Sequence, residues 1–265
     1  MMGMKKLRLL RLTKKELADR KGKENEKEEK QKKIKKGRFD RPDCDSGFGH
    51  RVPCLCKQLL SCAGSAGGAG DDVKVEEAEY GYFFDGPGND TALIFYPGAK
   101  VEDLAYASLL KQLAVDGIDC YLVHMPGNLA FMGMNRADKI METYSYDHWY
   151  LAGHALGGAM AAVYADKNSE KLDGLIFLAA YSTKDLSDTD LKVLSIYGSN
   201  DGVVNMDKVT EGRKLMPSVY EEFCIQGGNH AGYGDYGAQK GDGEADISAK
   251  EQQEETAEKI VEFCE

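Results

Sequence analysis

The chain has no long apolar run. Nowhere in its 265 residues do about 18 consecutive apolar residues occur, the length that a helix needs to span a bilayer. Residues 1–12 are basic with a few leucines, and they lack the continuous apolar segment of a secretory signal. We therefore predict no transmembrane segment and a cytoplasmic location.

A positive net charge is also missing. The chain carries 34 Lys+Arg against 44 Asp+Glu, which gives a formal net charge of −10 at pH 7. Because nucleic-acid binding rests on basic surfaces that neutralise phosphates, no nucleic-acid partner is expected for the main domain.

The charge is distributed unevenly along the chain. Residues 1–41 hold 17 Lys+Arg and 7 Asp+Glu, which leaves 17 and 37 for residues 42–265. Residues 1–38 are Lys/Glu-rich and are predicted to be a disordered tail or a lone solvated helix. Two interpretations stay open for this tail, namely binding to an acidic surface and simple solubilisation. Residues 39–72, rich in Gly, Ser and Cys, are predicted to be a flexible linker, and residues 73–265 to be the folded domain.

Cysteine pairs of the metal-binding kind are absent. Four of the seven cysteines, Cys44, Cys54, Cys56 and Cys62, cluster near His50. A structural zinc site usually shows pairs of ligands with C-x2–4-C spacing, which this cluster lacks. We therefore predict free thiols and no metal site.

Short apolar segments alternate with amphipathic ones from residue 73 onward. A hairpin is predicted over 73–84, and apolar strands over 92–96, 118–123, 149–152, 175–179, 192–197 and 219–225. Helices are predicted over 104–115, 135–143, 157–165, 206–215 and 250–263. Apolar strands separated by helices indicate a parallel sheet covered on both faces. The predicted fold class is therefore α/β, with a doubly wound, mostly parallel sheet that binds ligands beyond the carboxyl ends of its strands.

One strand-to-helix junction carries a catalytic pattern without its nucleophile. The strand Trp149-Tyr-Leu-Ala-Gly153 runs into His-Ala-Leu-Gly-Gly158 and then into a helix rich in small residues. This resembles the G-x-S-x-G elbow of the α/β-hydrolases, where the serine sits on a strained turn. Ala155 stands at the serine position, and alanine has no oxygen that could attack a carbonyl. The alternative is an ordinary glycine-rich turn that binds an anion at a helix N-terminus.

The resemblance extends to an acid and a base in the family's chain order. Asp201 follows the predicted strand 192–197, where the family keeps the acid that orients the base. His230 follows the last predicted core strand, where the family keeps the histidine that moves the proton. A plain Asp-Gly turn and a surface histidine in a glycine loop are the alternatives.

The resemblance also implies an oxyanion hole made of two backbone N–H groups. One belongs to Leu156, directly after the nucleophile position, and the other to the loop after the strand 92–96, where Ala99 is our choice. Gly98 would permit a close approach of the backbone in that loop.

Two loops are predicted to shape the substrate pocket. The loop 125–134 is unusually apolar, and its Asn128, Phe131 and Met132 are the expected pocket residues. The alternative is that its methionines fill the core. The segment 234–243, rich in Gly and Asp, is predicted to be a mobile flap.

Over residues 73–265 the chain resembles bacterial α/β-hydrolases of the dienelactone-hydrolase-like kind. The marks are Tyr96-Pro-Gly98, the lead-in His148-Trp-Tyr-Leu-Ala-Gly-His154, Tyr197-Gly-Ser-Asn-Asp201, and Gly227-Gly-Asn-His230 followed by Gln239-Lys-Gly-Asp-Gly243. The resemblance implies hydrolysis of carboxylic esters or related small acyl substrates through an acyl-enzyme. It also implies that neither a metal nor an organic cofactor takes part.

Ala155 departs from the family's pattern, so the chain as written is expected to be inactive or severely impaired as an esterase. Two interpretations stay open. The change is either a Ser→Ala substitution in an otherwise competent serine hydrolase, or the mark of a non-catalytic ligand-binding protein on the same scaffold. The sequence predicts neither the substrate nor the oligomeric state.

Overall fold

The computed structural model describes residues 73–88 and 90–265. The predictions for residues 1–38 and 39–72, and for the clustered cysteines, lie outside these residues. Within them, no helix has the length and apolar character needed to cross a bilayer.

Within the described residues, eight strands form one sheet in the order β1-β2-β4-β3-β5-β6-β7-β8. The first two strands form the predicted antiparallel hairpin, β2 also runs antiparallel to β4, and all other neighbouring pairs are parallel. The strands are β1 (Lys74–Ala78), β2 (Gly81–Asp85), β3 (Thr91–Tyr96), β4 (Ile118–Val123), β5 (His148–His154), β6 (Gly174–Leu178), β7 (Lys192–Gly198) and β8 (Val219–Ile225). The predicted fold class, a doubly wound and mostly parallel α/β sheet, is confirmed.

Five α-helices in the part of the chain that the structure describes cover the sheet, close to the predicted ranges. Two predicted helices are partly short 3-10 turns, because Asp103–Tyr106 precedes α1 and Arg213–Leu215 follows α4. The helices are α1 (Ala107–Val115), α2 (Arg136–Thr143), α3 (Leu156–Asn168), α4 (Met206–Gly212) and α5 (Ala249–Cys264). The last of them begins with a capping box, in which Ser248 and Glu251 exchange hydrogen bonds between side chain and backbone.

The sheet separates two apolar cores. Side chains alternate across β3, so that Leu93 and Phe95 enter one core while Ile94 and Tyr96 enter the other. The first core is completed by α1 and α5, and the second by α2 and α3. Both faces of the central strands are therefore buried, which explains why these strands are apolar throughout.

The register of the parallel strands brings several loops to one edge of the sheet. Tyr96 at the end of β3 pairs with Gly153, and Gly198 at the end of β7 pairs with Ile225 at the end of β8. The segments that follow β3, β5, β7 and β8 thus leave the sheet at the same carboxyl edge. Every residue predicted to take part in catalysis lies in one of these segments.

A carboxyl group lies inside the otherwise apolar strand β4. Asp119 is 3% exposed; its Oδ1 accepts a hydrogen bond from the Gly86 N–H at 3.0 Å, and its Oδ2 accepts one from the Tyr146 hydroxyl at 2.6 Å. Burial outweighs these two hydrogen bonds and raises the pKa of Asp119 to about 6. Sequence analysis did not single out this residue.

The raised pKa of Asp119 makes a prediction about stability and pH. The folded protein holds the proton more tightly than the unfolded chain does, so this group favours folding most below about pH 4. That contribution is lost as the pH rises through about 6. In the parent chain, this group is expected to lower the free energy of unfolding by roughly 3 kcal/mol between about pH 4 and 7. We expect the Asp119→Asn variant to lack this decrease.

Urea unfolding over this pH range measures the effect. The exposed carboxylate of Asp116 provides the control, since Asp116→Asn is expected to keep the pH dependence of the parent chain. Parallel pH profiles for the parent and Asp119→Asn would contradict the assignment.

Candidate active site

The turn between β5 and α3 is strained at its central residue. Ala155 has φ 48° and ψ −116°, a backbone conformation that residues other than glycine rarely adopt. Its N–H donates to the Leu178 carbonyl at 3.0 Å, and its carbonyl accepts from the Ala159 N–H at 3.1 Å. The chain therefore makes a sharp strand-to-helix turn of the kind predicted, with the Ala155 side chain partly exposed.

Glycines on both sides of this turn allow backbones to come close. A Cβ at Gly157 would lie 2.1 Å from the Tyr96 carbonyl oxygen, and a Cβ at Gly153 would lie 2.5 Å from the Gly157 carbonyl carbon. No side chain fits at either position without displacing backbone. The glycines that the sequence places around Ala155 thus hold the turn tightly against the end of β3.

The structure brings Asp201 and His230 together in a buried pair. The Asp201 Oδ2 lies 2.9 Å from the His230 Nδ1, and the two side chains are 0% and 3% exposed. The Asp201 Oδ1 accepts two further hydrogen bonds, from the N–H groups of Val203 at 2.8 Å and Val204 at 2.7 Å. Since a carboxylate can only accept, the Nδ1 of His230 carries the proton and its Nε2 is left as the basic nitrogen.

A second histidine places His230 beside the turn. The His154 and His230 rings have centroids 4.5 Å apart, and the His154 Nε2 lies 3.1 Å from the His230 carbonyl oxygen. Since His154 directly precedes Ala155, the candidate base, its acid and the nucleophile position meet at one point of the carboxyl edge.

The tautomer of His154 follows from its partners. A carbonyl oxygen only accepts, so the Nε2 of His154 donates to it, and the Nδ1 accepts from the Tyr106 hydroxyl at 2.8 Å. The Tyr106 oxygen in turn accepts from the Gly98 N–H at 3.1 Å. Burial lowers the pKa of His154 well below its usual range, and the nearby His230 lowers it further, so the imidazole is neutral.

This series of hydrogen bonds, from Gly98 through Tyr106 and His154 to His230, connects three segments of the site. It runs from the loop after β3, through Tyr106 and the turn after β5, to the backbone of His230. Nothing in the sequence marks Tyr106, because a tyrosine in an amphipathic segment is indistinguishable there from an ordinary core aromatic. His154, as the variable residue of the elbow, is expected from the sequence to pack against or support the loop.

The two amides expected to form the oxyanion hole belong to Leu156 and Ala99. Leu156 is the first residue of α3, so its N–H has no acceptor within the helix, and it lies at the positive end of the helix dipole. Ala99 follows Gly98 in a turn, where Lys100 has φ 63°. The roles of both amides stay predictions.

The predicted pocket loop is fastened to the loop of Ala99. The Asn128 carbonyl accepts a hydrogen bond from the Lys100 N–H at 2.9 Å. Phe131 and Met132 are 56% and 57% exposed, and the short turn that contains them packs against α3. Two apolar side chains therefore lie open on the segment that adjoins the helix of the elbow, and their role in substrate binding stays a prediction.

Two further observations concern cavities and metal ligands. A cavity of about 40 Å³, lined in part by Tyr80, Tyr82, Tyr121 and Tyr144, contains none of the predicted site residues. Among the residues that the structure describes, no group of three or more His, Cys, Asp or Glu side chains could hold a metal ion.

The segment 234–243 is anchored at both ends and largely exposed between them. Gly234 and Tyr236 are buried, and the Asp235 N–H donates to the Ala105 carbonyl at 2.7 Å. The carboxylate of Asp242 accepts hydrogen bonds from the loops that carry Asp201 and His230. These contacts hold the ends of the segment, and the mobile flap predicted from its glycines stays a prediction.

Comparisons with known proteins bear on the family and the fold of the chain. A family model described as the alpha/beta hydrolase family matches residues 92–254, more than half of the chain. None of the curated proteins compared with the chain matches it.

Solved structures with the same fold include two hydrolases. A predicted CIB-like hydrolase from Thermoplasma acidophilum is 16% identical with a TM-score of 0.54, over 72% of this chain and 98% of that one. A dienelactone hydrolase from Anabaena variabilis is 13% identical with a TM-score of 0.56, over 72% of this chain and 97% of that one. At these identities the similarity concerns the fold alone.

The buried hydrogen bonds of the Tyr106 hydroxyl are expected to contribute to stability. Tyr106→Phe leaves the Gly98 N–H and the His154 Nδ1 without their partner in a buried region. We expect the free energy of unfolding to fall by about 1–3 kcal/mol, measured by urea denaturation.

Tyr150→Phe is the matched control, since its hydroxyl makes only one long hydrogen bond, 3.3 Å to the Cys264 carbonyl. That change is expected to cost less than about 1 kcal/mol. Equal stability losses in the two variants would show that the hydrogen bonds of the Tyr106 hydroxyl contribute no more than the single hydrogen bond of the Tyr150 hydroxyl.

Proposed function

The chain belongs to the α/β-hydrolase family, and from that premise we propose that its site binds a small carboxylic ester or related acyl compound. Ala155 stands at the position of the serine nucleophile, Asp201 is the acid and His230 is the base. With alanine at position 155, the chain is a hydrolase that lacks its nucleophile and is complete in these parts except for one hydroxyl oxygen.

The observation that carries this proposal is the buried Asp201–His230 pair beside the strained turn at Ala155. The pair has the protonation that a general base requires, with the proton on Nδ1 and a free Nε2. The turn keeps its positive φ although its residue has no catalytic oxygen. Such strain costs on the order of 1–3 kcal/mol, and it is typical of functional sites.

The mechanism of the serine form follows from these positions. A serine Oγ at residue 155 would attack the substrate carbonyl while the His230 Nε2 takes its proton, and Asp201 would stabilise the resulting imidazolium. The N–H groups of Ala99 and Leu156 would donate to the oxyanion. The same histidine would protonate the leaving alcohol, and then activate the water that releases the acyl group.

Alanine removes the first step. Loss of the serine of a comparable triad lowers turnover on the order of a million-fold, with residual catalysis from binding and the oxyanion hole. A second function, non-catalytic binding of an acyl ligand, is favoured by Ala155 itself, because the donors and the apolar residues Phe131 and Met132 would still bind the ligand without cleaving it.

Restoring the serine tests the proposal. We expect Ala155→Ser to hydrolyse a short-chain nitrophenyl ester and to react covalently with a fluorophosphonate probe, whereas the parent chain does neither at a comparable rate. The turn already has the required backbone conformation, so the variant is expected to fold. Nitrophenolate release and mass spectrometry of the labelled protein are the measurements.

Further substitutions in the serine form separate the roles of the histidines. His230→Asn and Asp201→Asn are each expected to lower kcat by about 10³-fold or more. His148→Asn is the control, because His148 pairs with Asp173 at 3.1 Å but lies at the amino end of β5, away from the site. A folded Ala155→Ser protein that neither reacts with the fluorophosphonate nor hydrolyses the ester would contradict the hydrolase proposal and leave ligand binding in its place.

A further inference from the structure

The side chain of Asp242 binds to both loops that carry the candidate acid and base. Its Oδ1 accepts hydrogen bonds from the Gly202 N–H at 3.1 Å and from the His230 N–H at 3.1 Å. Its Oδ2 accepts one from the Ala231 N–H at 2.8 Å. The Gly243 N–H donates a further hydrogen bond to Oδ1 at 2.8 Å. One carboxylate thus joins the residue after the acid to the base itself.

Glycines bring the three segments close enough for these hydrogen bonds. A Cβ at Gly202 would lie 2.7 Å from the Gly241 carbonyl oxygen, and a Cβ at Gly243 would lie 1.9 Å from the Asn200 carbonyl oxygen. The acid loop and the segment of Asp242 are therefore in backbone-to-backbone contact. A side chain at either glycine would force the loops apart.

Other polar contacts close the same junction. The Asn229 side chain donates to the Gly243 carbonyl at 2.9 Å, and the Asn200 side chain donates to the Glu244 carbonyl at 2.9 Å. These amides fasten the backbone on either side of Asp242. The carboxylate is then fixed where it accepts from several converging N–H groups, an arrangement that stabilises an anion.

We propose that Asp242 is a positioning residue for the Asp201–His230 pair. It touches neither the imidazole nor the reacting atoms. It fixes the distance between the loop that follows β7 and the loop that follows β8, and so keeps the Asp201 Oδ2 within hydrogen-bond reach of the His230 Nδ1. Its catalytic consequence rests on the proposed function, but its effect on the pair does not.

The effect on the pair can be measured in the chain as it stands, with Ala155 in place. The proton on the His230 Nδ1, held by a carboxylate in a buried site, gives a far-downfield proton resonance in NMR. In ¹⁵N-histidine-labelled protein, His230→Gln identifies that resonance by removing it. We expect Asp242→Asn to broaden or lose the signal through exchange with water that is at least about tenfold faster. Circular dichroism checks that the variant is folded.

Glu244→Gln is the matched control for Asp242→Asn. Glu244 belongs to the same stretch of chain and is exposed, and its substitution makes the same change in charge. The control is expected to keep the downfield signal of the parent chain. If Asp242→Asn also keeps it, with unchanged shift and exchange rate, the positioning role is overturned.

A second variant decides the question if Asp242→Asn does not fold. Gly202→Ala keeps the carboxylate but inserts a methyl group between the acid loop and Gly241. Gly202 is exposed and its φ is not in the left-handed region, so the change acts only on the junction. A perturbed His230 signal in this variant supports the proposal, and an unperturbed one contradicts it.

Kinetics in the Ala155→Ser form add a second readout. Asp242→Asn is expected to lower kcat by about 10- to 100-fold with little change in KM, because misplacing the base affects the transition state more than ground-state binding. An unchanged kcat would contradict the proposal. If Ala155→Ser has no activity at all, the proposed function fails, whereas the NMR comparison still decides the role of Asp242.

Discussion

The hydrogen bond between the Asp201 Oδ2 and the His230 Nδ1 is the interaction on which the rest of the site depends. Both side chains are almost fully buried, and a buried polar group without a partner destabilises a fold by about 1–3 kcal/mol. The pair is satisfied because parallel strands β7 and β8 end at the same edge and release their loops side by side. The fold therefore places Asp201 and His230 together before any chemistry is considered.

The surroundings of this pair are built mainly from backbone. Gly157 allows the turn after β5 to touch the end of β3, and the Tyr106 hydroxyl links the loop after β3 to His154. On the other side, Asp242 accepts hydrogen bonds from backbone amides of the loops that carry Asp201 and His230. The pair is thus supported by contacts that are independent of the residue at position 155. This geometry therefore does not require a serine at that position.

The fold was predictable from the sequence because apolar strands of parallel sheets have a strong and regular pattern. The elbow at Ala155 and the positions of Asp201 and His230 were predictable because each follows a strand at a glycine-rich loop. Tyr106 and Asp242 were not, since their importance lies in contacts between segments far apart in sequence. The glycines of the segment 234–243 were equally ambiguous, because glycines that allow close packing and glycines that allow motion look the same in a sequence.

The site around Ala155 is proposed to lack only the oxygen of a serine side chain. The most direct measurement is a crystal structure of the Ala155→Ser protein after reaction with a fluorophosphonate. We expect a bond from the serine Oγ to phosphorus, with a phosphoryl oxygen about 3 Å from the N–H groups of both Ala99 and Leu156. We also expect the His230–Asp201 hydrogen bond to be retained. A phosphoryl oxygen directed away from both amides, or an unmodified serine in an intact fold, would contradict the proposal.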